Sequence, residues 1–291
     1  MYQCIIIQMK ILNGAELRDF IKERQAKQVR ALRQSWKVFP KLKIFYSSNS
    51  PVIQTYMRLK TQYGEDILID VEKEYVPIDN LKERIENANR DESIHGIIVQ
   101  LPIEDSSSKV TTEYVTEDIL SLISPEKDVD GLSSDKFSPA TPTAINWLLA
   151  GYNIDLSNKK IAIIGQGILV GRPLAKIWQG SNLDISTFDK ETTETMKNEL
   201  NQFDIIVSAA GVPGLITSQM LKLNAVVVDA GTTSEHGEIK GDVSIEVRKN
   251  RNDLTITPKT GGVGPLTVAA LMDNVIIAAR KVANEKGQQD L

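Results

Sequence analysis

The stretch IAIIGQGILVGRPL, residues 161–174, decides the fold of the second half of the chain. Its first four residues are all apolar, which predicts a buried strand. The glycines at positions 165, 167 and 171 then predict a tight turn that opens a helix. Backbone amides at such a helix N-terminus can bind a pyrophosphate, so the turn indicates a dinucleotide site. The spacing is GxGxxxG rather than the commoner GxGxxG, and a plain strand-to-helix turn remains the alternative.

An acidic residue, Asp189, follows the next predicted strand. It comes 24 residues after Gly165, where an acidic side chain commonly accepts hydrogen bonds from the adenosine ribose hydroxyls and repels a 2′-phosphate. The alternative is that Asp189 is a solvated loop residue or caps a helix beginning near Thr192. The sequence leaves both interpretations open.

The composition is that of a soluble globular protein. The chain has 291 residues, enough for two domains, with 41% hydrophobic and 25% charged residues. A net charge of −4 without a basic stripe argues against a nucleic-acid partner. The single cysteine, Cys4, cannot form an internal disulfide, which favours a reducing, cytoplasmic compartment. We expect no signal peptide and no membrane partner, since no apolar run approaches the roughly 20 residues that cross a bilayer. The native start is Met1 or Met9.

Helix and strand signals alternate along the first half of the chain. Helices are predicted at 15–32 with Asn13 as N-cap, from Pro51 to about Tyr63, and at 77–90. Strands are predicted at 41–47, 66–71 and 94–101. Strands separated by helices imply parallel pairing with right-handed crossovers.

The pattern starts again near Ser138. A turn-rich joint at 138–143 leads into a helix at 143–152, and a last helix at 267–286 starts just after Pro265. Strands are predicted at 161–164, 184–188, 204–210, 225–230 and 254–257. The fold class is therefore α/β, with two α/β domains and a boundary near residue 140.

A group of polar residues in the first half forms a candidate site. Tyr56 and Lys60 are four residues apart and so share one face of a helix. Gln100 ends a predicted strand, and the loop PEKDVDG supplies Asp128 and Asp130. Taken singly, each has a structural explanation: a surface helix pair, a strand-end amide that satisfies backbone groups, and an ordinary acidic turn.

Taken together, these motifs resemble those of the methylenetetrahydrofolate dehydrogenase/cyclohydrolase family. The matching segments are YMRLK (56–60), VQLPIED (99–105), SPEKDVDG (124–131), SPATPTA (138–144), GQGILVGRP (165–173), GDV (241–243) and TPKTGGVGPLT (257–267). They occur in the family's order and spacing, and the resemblance covers nearly the whole chain from Met9 to the last helix.

The resemblance implies an enzyme of one-carbon metabolism that serves purine biosynthesis. It implies oxidation of 5,10-methylenetetrahydrofolate with NAD(P), then hydrolysis of the methenyl product to 10-formyltetrahydrofolate. It further implies a three-layer folate domain, residues 1–140 plus 267–291, which includes the C-terminal helix. Residues 141–266 would form a Rossmann-type NAD(P)-binding domain, and the enzyme would be a homodimer.

The family's site residues carry over position by position. Lys60 matches the catalytic lysine and Gln100 the glutamine beside it, whereas Tyr56 matches the tyrosine that packs on the folate, and Asp130 the residue that fixes the pterin. The resemblance also implies substrate contacts at Val99, Leu101, Gly261, Gly262, Gly264 and Pro265. It implies cofactor contacts at Gly165, Gln166, Gly167, Val170, Gly171, Arg172, Pro173, Asp189 and Thr232.

The implied chemistry suits these residue types. Hydride loss from the methylene bridge leaves a cation delocalised over two nitrogens, so that step needs alignment rather than a strong base. Hydrolysis needs water activation and proton movement, which a lysine supplies if burial lowers its pKa toward neutrality. A neutral Gln100 orients Lys60 without raising the pKa of the ammonium, as a glutamate would.

The chain departs from the family at the cofactor turn. Gly165, Gln166 and Gly167 stand where the family has G-R-S, so the arginine and serine that receive the NADP 2′-phosphate are absent. Asp189 stands in a segment where the family has anion-binding side chains. Both changes favour NAD over NADP, although Arg172 or Lys190 could receive a phosphate instead.

Two further departures concern substrate affinity. The family's P-C-T-P-x-G is PATPTA at 139–144, without the cysteine and the glycine. Lys259 and Thr260 replace an apolar residue and a proline before GGVGP. Thr260 should loosen a turn that proline would fix, and Lys259 either meets an acidic folate tail or is simply solvated.

Neither histidine indicates a metal site. His95 lies in a buried-looking strand and is interpreted as a hydrogen-bonded core residue, and His236 lies in a polar loop. Neither has partners at metal-ligand spacing, so we expect no metal.

Two rival functions remain open at this point. One is a monofunctional NAD-linked dehydrogenase, against which the intact Lys60 and Gln100 argue. The other is a non-catalytic folate or dinucleotide sensor, suggested by the altered cofactor turn.

Overall fold

The computed structural model describes residues 9–235 and 238–285, which divide into two compact α/β units. The first unit comprises Arg18–Ala140 and the residues from Thr267 onward. The second unit comprises the residues up to Leu17 together with Thr141–Leu266.

Both units alternate strands with helices along the described chain. The strands are β1 Lys10–Ile11, β2 Lys41–Tyr46, β3 Asp70–Tyr75, β4 Gly96–Val99, β5 Ile161–Ile164, β6 Ile185–Phe188, β7 Ile205–Ser208, β8 Val226–Asp229, β9 Thr233–Glu235, β10 Glu238–Lys240 and β11 Thr255–Ile256. The helices are α1 Gly14–Ser35, α2 Pro51–Ile67, α3 Ile78–Arg90, α4 Glu113–Ser121, α5 Ala140–Gly151, α6 Gly171–Gly180, α7 Thr193–Glu199, α8 Ile245–Asn250 and α9 Val263–Glu285.

The first unit contains a three-stranded parallel sheet in the order β3-β2-β4. The central strand β2 and its neighbour β4 are almost entirely buried, as their apolar residues predict, whereas β3 is an edge strand with exposed charged residues. His95 lies just before β4 with 6% of its surface exposed, and its Nδ1 accepts a hydrogen bond from the Lys41 amide. The interpretation of His95 as a core residue is therefore confirmed.

The second unit contains a six-stranded parallel sheet in the order β1-β11-β8-β7-β5-β6. The strand that precedes the glycine turn, β5, pairs with β6 on one side and with β7 on the other. The two strands that follow β5 in sequence therefore lie on opposite sides of it. In open parallel sheets, ligands bind outside the carboxyl ends of the strands at such a switch point.

The N-terminal segment belongs with the second sheet. Strand β1 pairs in parallel with β11, and the Leu12 amide donates to the Ile256 carbonyl at 2.9 Å. The domain assignment made from sequence placed residues 1–17 in the first domain. For the described residues up to Leu17 that placement differs from the structure, because a two-residue strand carries too little pattern to reveal its partner.

Several element boundaries differ from the predictions. The strand predicted at 66–71 is wrong, since α2 continues through Ile67 and ends at Leu68, which adopts the left-handed conformation (φ 67°). Ile67 and Ile69 are both buried, so the apolar run spans a helix end and the connection that follows it. Strand β3 starts only at Asp70.

Helix starts are also earlier than predicted at two places. Helix α5 begins at Ala140, so the segment 138–143 is not wholly a turn. Helix α9 begins at Val263 and includes Pro265 in its first turn, where the missing amide hydrogen costs no helical hydrogen bond. By contrast, the predicted cap of α1 is confirmed, because Asn13 Oδ1 accepts from the amides of Ala15 and Glu16.

Helix α9 is long and apolar enough, by length and composition alone, to cross a membrane. However, 67% of its most apolar window is buried inside the protein. Packing in the core therefore accounts for its apolar character.

Candidate active site

The side chain of Lys60 is joined to that of Gln100 in the first unit. Lys60 projects from α2 and Gln100 follows β4, and Lys60 Nζ donates a 2.8 Å hydrogen bond to Gln100 Oε1. The Gln100 amide nitrogen donates to the Leu101 carbonyl at 3.0 Å, which turns the amide oxygen toward the lysine. The Gln100 backbone is held by the Phe45 carbonyl at 2.8 Å, so the glutamine is fixed by strand β2.

Burial lowers the pKa of the Lys60 ammonium below that of a free lysine, and the charge of Asp130 partly opposes the change. Part of the Lys60 side chain still reaches solvent. The lysine therefore has a neutral hydrogen-bond acceptor beside it and no carboxylate within ion-pair distance among the described residues. Such a setting favours the free amine, which can accept a proton.

Asp130 is shifted in the complementary direction. Burial raises the pKa of its carboxyl, the positive charge of Lys60 opposes this, and the negative charge of Asp128 adds to it. No described residue donates a hydrogen bond to the Asp130 carboxylate. The structure thus brings Lys60, Gln100 and Asp130 together.

Asp128 plays a structural part in the same loop. It is 1% exposed, and its carboxylate accepts hydrogen bonds from the amides and hydroxyls of Ser133 and Ser134 at 2.9–3.2 Å. Gly131 has a φ of +67°, and a Cβ there would collide with the Phe137 carbonyl oxygen. These contacts fix the loop that carries Asp130.

Asn274 is a positioning residue that the sequence analysis missed. It lies on α9 with 7% exposure, and its amide nitrogen donates to the carbonyls of Val129 (2.8 Å) and Ser138 (2.9 Å). It therefore ties both ends of the Asp130 loop to the helix. The available signal was a single asparagine inside an otherwise apolar helical stripe.

The remaining substrate candidates of the first unit flank this group in sequence. Tyr56 is partly buried on α2, one helical turn before Lys60. Val99 is 2% exposed within β4, and Leu101 precedes the cis peptide bond to Pro102.

The glycine-rich segment at 260–264 is shaped by backbone contacts within the second unit. Gly261 has a φ of +84°, and its carbonyl accepts from the Ala15 amide at 2.9 Å. A Cβ on Gly14 would collide with the Gly262 carbonyl, so these two backbones touch. A Cβ on Gly264 would meet open space, and Pro265 lies in the first turn of α9.

The glycine turn after β5 has the close backbone contacts that its sequence predicts. Gly165 has a φ of +88°, and a Cβ on Gly171 would collide with the Gly165 carbonyl oxygen. A Cβ on Gly167, in contrast, would meet nothing within 4 Å. Two of the glycines are thus required by the turn itself, whereas the third leaves room beside the backbone.

The other cofactor candidates lie around this turn. The first turn of α6 forms through the amide of Leu174, which donates to the Val170 carbonyl at 2.9 Å. Arg172 is exposed and Pro173 is partly buried in that turn, and Gln166 Nε2 donates to the Gly165 carbonyl. Thr232 is exposed in the connection that follows β8.

Asp189 caps the turn that leads into α7. Its Oδ1 accepts from the amides of Glu191 and Thr192, both at 3.0 Å, and from the Thr192 hydroxyl at 2.8 Å. These hydrogen bonds, with those from Thr192 the largest influence, lower the pKa of the carboxyl. Thr192 is the N-cap of α7 and has no side-chain cap hydrogen bond, so Asp189 holds the turn before the helix rather than capping the helix itself. Asp189 is exposed, and its ribose role stays a prediction.

Within residues 9–235 and 238–285, no group of three or more His, Cys, Asp or Glu side chains could hold a metal ion. His236 lies outside the described residues.

Comparison with known proteins matches both halves of the chain to one family. Residues 12–130 match the family model for the catalytic domain of tetrahydrofolate dehydrogenase/cyclohydrolase, and residues 139–283 match that for its NAD(P)-binding domain. Bifunctional protein FolD of Staphylococcus haemolyticus (strain JCSC1435) is 34% identical over 287 residues, covering 93% of this chain and 97% of that protein.

Solved structures agree. The bifunctional FolD methylenetetrahydrofolate dehydrogenase/cyclohydrolase of Campylobacter jejuni has a TM-score of 0.84 and 31% identity, covering 94% of this chain and 99% of its own. The FolD enzyme of Trypanosoma brucei, solved with NADP and an inhibitor, has a TM-score of 0.82 and 25% identity, covering 94% of this chain and 98% of its own. The resemblance carried by YMRLK, VQLP, KDVDG and GGVGP is thereby confirmed, and the chain belongs to the tetrahydrofolate dehydrogenase/cyclohydrolase family.

Proposed function

We propose that this bifunctional enzyme oxidises 5,10-methylenetetrahydrofolate to the 5,10-methenyl form with NAD(P), and hydrolyses that product to 10-formyltetrahydrofolate through Lys60. The observation that carries the proposal is the 2.8 Å hydrogen bond from Lys60 to the uncharged Gln100. An amine whose pKa is lowered by burial and whose partner is neutral gives up and takes back a proton more readily than a free lysine.

The oxidation step requires positioning more than acid–base chemistry. When bound, the nicotinamide accepts the hydride, and the resulting cation is stabilised by its own two nitrogens. The residues of the chain hold the folate in place: Asp130 binds the polar edge of the pterin, and Tyr56 packs on its ring. Alignment of this kind can contribute a large part of a rate enhancement.

The hydrolysis step uses the lysine itself. Water attacks the cationic methenyl carbon, and Lys60 takes one proton from it, which leaves a hydroxyl on the bridge carbon. Lys60 then returns that proton to the ring nitrogen as the nitrogen–carbon bond breaks, and the hydroxyl proton passes to solvent as the formyl carbonyl forms. Gln100 keeps the amine oriented throughout. Burial raises the pKa of the Asp130 carboxyl, and the charge of Asp130 only partly opposes the burial that lowers the pKa of Lys60.

The residues of the second unit fit a dinucleotide, and we infer a preference for NAD. The backbone approach of Gly171 to Gly165 suits a pyrophosphate at the start of α6. The exposed, ionised Asp189 would repel a 2′-phosphate, and the chain has Gln166 and Gly167 where the family carries an arginine and a serine. Arg172 and Lys190 are the side chains that would have to offset this repulsion for NADP to be preferred.

We further infer a cytoplasmic homodimer that acts on small folate substrates. The family resemblance supports the dimer, and the absence of a second cysteine and the net charge of −4 support a cytoplasmic enzyme without nucleic-acid partners. Sedimentation analysis of the purified full chain would give twice the chain mass if the dimer forms.

A spectroscopic assay tests the functional proposal. The absorbance of methenyltetrahydrofolate is followed after methylenetetrahydrofolate is mixed with the enzyme and either NAD or NADP. We expect transient methenyl product, faster with NAD, followed by enzyme-dependent decay. Formation without such decay would instead identify the monofunctional dehydrogenase, and binding without turnover would identify the sensor. A higher kcat/KM with NADP would contradict the cofactor inference.

A further inference from the structure

The turn that follows β7 lies directly against the glycine turn. A Cβ on Gly165 would collide with the Ala209 carbonyl oxygen and approach the Ala210 Cα within 2.8 Å. Strands β5 and β7 are neighbours in the sheet, and the chain leaves both at their carboxyl ends. The glycine turn therefore forms one side of the switch point, and the segment 208–212 forms the other side.

A buried carboxylate holds this segment in place. Asp242 is 0% exposed, and its Oδ2 accepts from the Ser208 hydroxyl (2.7 Å) and from the Ala210 amide (2.8 Å). Its Oδ1 accepts from the Val212 amide at 2.8 Å. The residue between these two amides, Gly211, has a φ of +66°, so the carboxylate bridges a tight turn.

A second set of hydrogen bonds holds Asp242 itself in place. Its amide donates to Asp229 Oδ1 at 3.0 Å, and the Asp229 carboxylate also accepts from Arg248 at 2.8 Å. Arg248 in turn donates to the Thr257 carbonyl. The carboxylate of Asp242 also lies so close to Gly231, just before Thr232, that a side chain there would collide with it. One carboxylate thus contacts the connections after both β7 and β8.

We propose that Asp242 is a positioning residue for the dinucleotide, acting through the backbone of residues 208–212 and 231–232. The inference rests on the proposed cofactor site at the glycine turn. Asp242 does not reach the cofactor; it sets the distance between that segment and Gly165, and hence the shape of the surface on which the dinucleotide lies. Backbone shifts of the segment would weaken dinucleotide binding and leave the Lys60 site unchanged.

The decisive variant is Asp242→Asn, which keeps the shape of the side chain. The asparagine has one accepting oxygen, and its NH2 group would be directed at an amide hydrogen of the turn. Losing a hydrogen bond to a buried charged group should raise the KM and Kd for the dinucleotide about tenfold. The cyclohydrolase rate on supplied methenyltetrahydrofolate, which needs no cofactor, should stay at its wild-type value.

Asp204→Asn is the matched control. Asp204 lies just before β7, at the opposite end of that strand from the segment 208–212. Its carboxylate accepts hydrogen bonds from the Lys160 amide at 3.0 Å and from Lys222. The same substitution there should lower stability without raising the dinucleotide KM. If both variants raise that KM equally, Asp242 supports only the stability of the unit, and the proposal is wrong.

If Asp242→Asn does not fold, the variant Gly211→Ala tests the same proposal. Gly211→Ala adds a side chain at positive φ, while the nearest atom to its Cβ is Thr233 Oγ1 at 3.6 Å. It strains the turn without a collision, and it should also raise the dinucleotide KM while sparing hydrolysis. Unchanged KM in this variant would overturn the proposal. Failure of the wild-type enzyme to bind either dinucleotide would instead refute the cofactor site itself.

Discussion

Asp128 and Asp130 lie two residues apart in one loop and have opposite environments. The carboxylate of Asp128 is enclosed by hydrogen-bond donors from Ser133 and Ser134. That of Asp130 has no such donors among the described residues and interacts electrostatically with Lys60. The first carboxylate shapes the loop, and the second is the one that we propose binds the substrate.

Replacing each aspartate by asparagine should therefore affect stability at one position and substrate binding at the other. Asp128→Asn should cost about 2 kcal/mol of folding free energy, because a buried charged acceptor is replaced by a group that donates. Asp130→Asn should leave stability nearly unchanged but raise the KM for folate about tenfold through loss of a hydrogen bond to the ligand. Denaturant unfolding and steady-state kinetics of the two proteins would show the contrast. Equal loss of stability in both would contradict it.

The lysine itself can be tested by Lys60→Met, which keeps an unbranched apolar side chain and removes the amine. Cyclohydrolase activity should fall about 100-fold or more, the usual contribution of a general acid or base. Arg58→Met, on the exposed side of the same helix, is the control and should retain activity. Near-normal hydrolysis by Lys60→Met would remove the proposed role.

Gln100→Glu tests why the neighbour of Lys60 is neutral. A carboxylate at 2.8 Å favours the ammonium and raises the pKa of the lysine. If the free amine is the base, as we propose, the hydrolysis rate rises with pH through that pKa, and the variant's profile should move to higher pH.

Asp130→Asn provides the opposite control, because the charge of Asp130 raises the pKa of Lys60. Its removal should move the hydrolysis profile to lower pH. Profiles that shift in the same direction for both variants would show that a different group limits the rate.

Sequence alone predicts much of the fold because its signals are local. The four apolar residues of β5, the glycines at 165 and 171, and the Asn13 cap each act within one or two turns of the chain, and all appear as expected. Strand β3 was misplaced because its start depends on where α2 stops, and Leu68 ends that helix in a conformation usually taken by glycine. Leucine gives no signal for such an end.

The sequence reveals less of the site, because the contacts of the site join residues that are far apart in the chain. Lys60 and Gln100 could be proposed from family motifs, but their hydrogen bond depends on where α2 lies relative to the end of β4. The roles of Asn274 and Asp242 depend on contacts with residues 136 and 34 positions away, respectively. No local pattern distinguishes the loop-forming Asp128 from Asp130, since both are aspartates of one KDVDG segment. The family resemblance singles out Asp130, and the geometry shows that Asp128 shapes the loop.

Asp189→Asn tests the cofactor preference, and it can do so without loss of the turn before α7. An asparagine oxygen can still accept from the amides of Glu191 and Thr192, so the turn into α7 is kept while the negative charge is removed. If that charge excludes a 2′-phosphate, kcat/KM with NADP should rise relative to NAD, and the melting temperature should change little. Asp155→Asn is the matched control, since Asp155 makes a similar turn with the Ser157 amide at 2.9 Å and is equally exposed. A cofactor ratio that is unchanged in Asp189→Asn would show that Asp189 only holds the turn before α7, and selectivity would then have to come from Gln166, Gly167 and the other residues of the glycine turn.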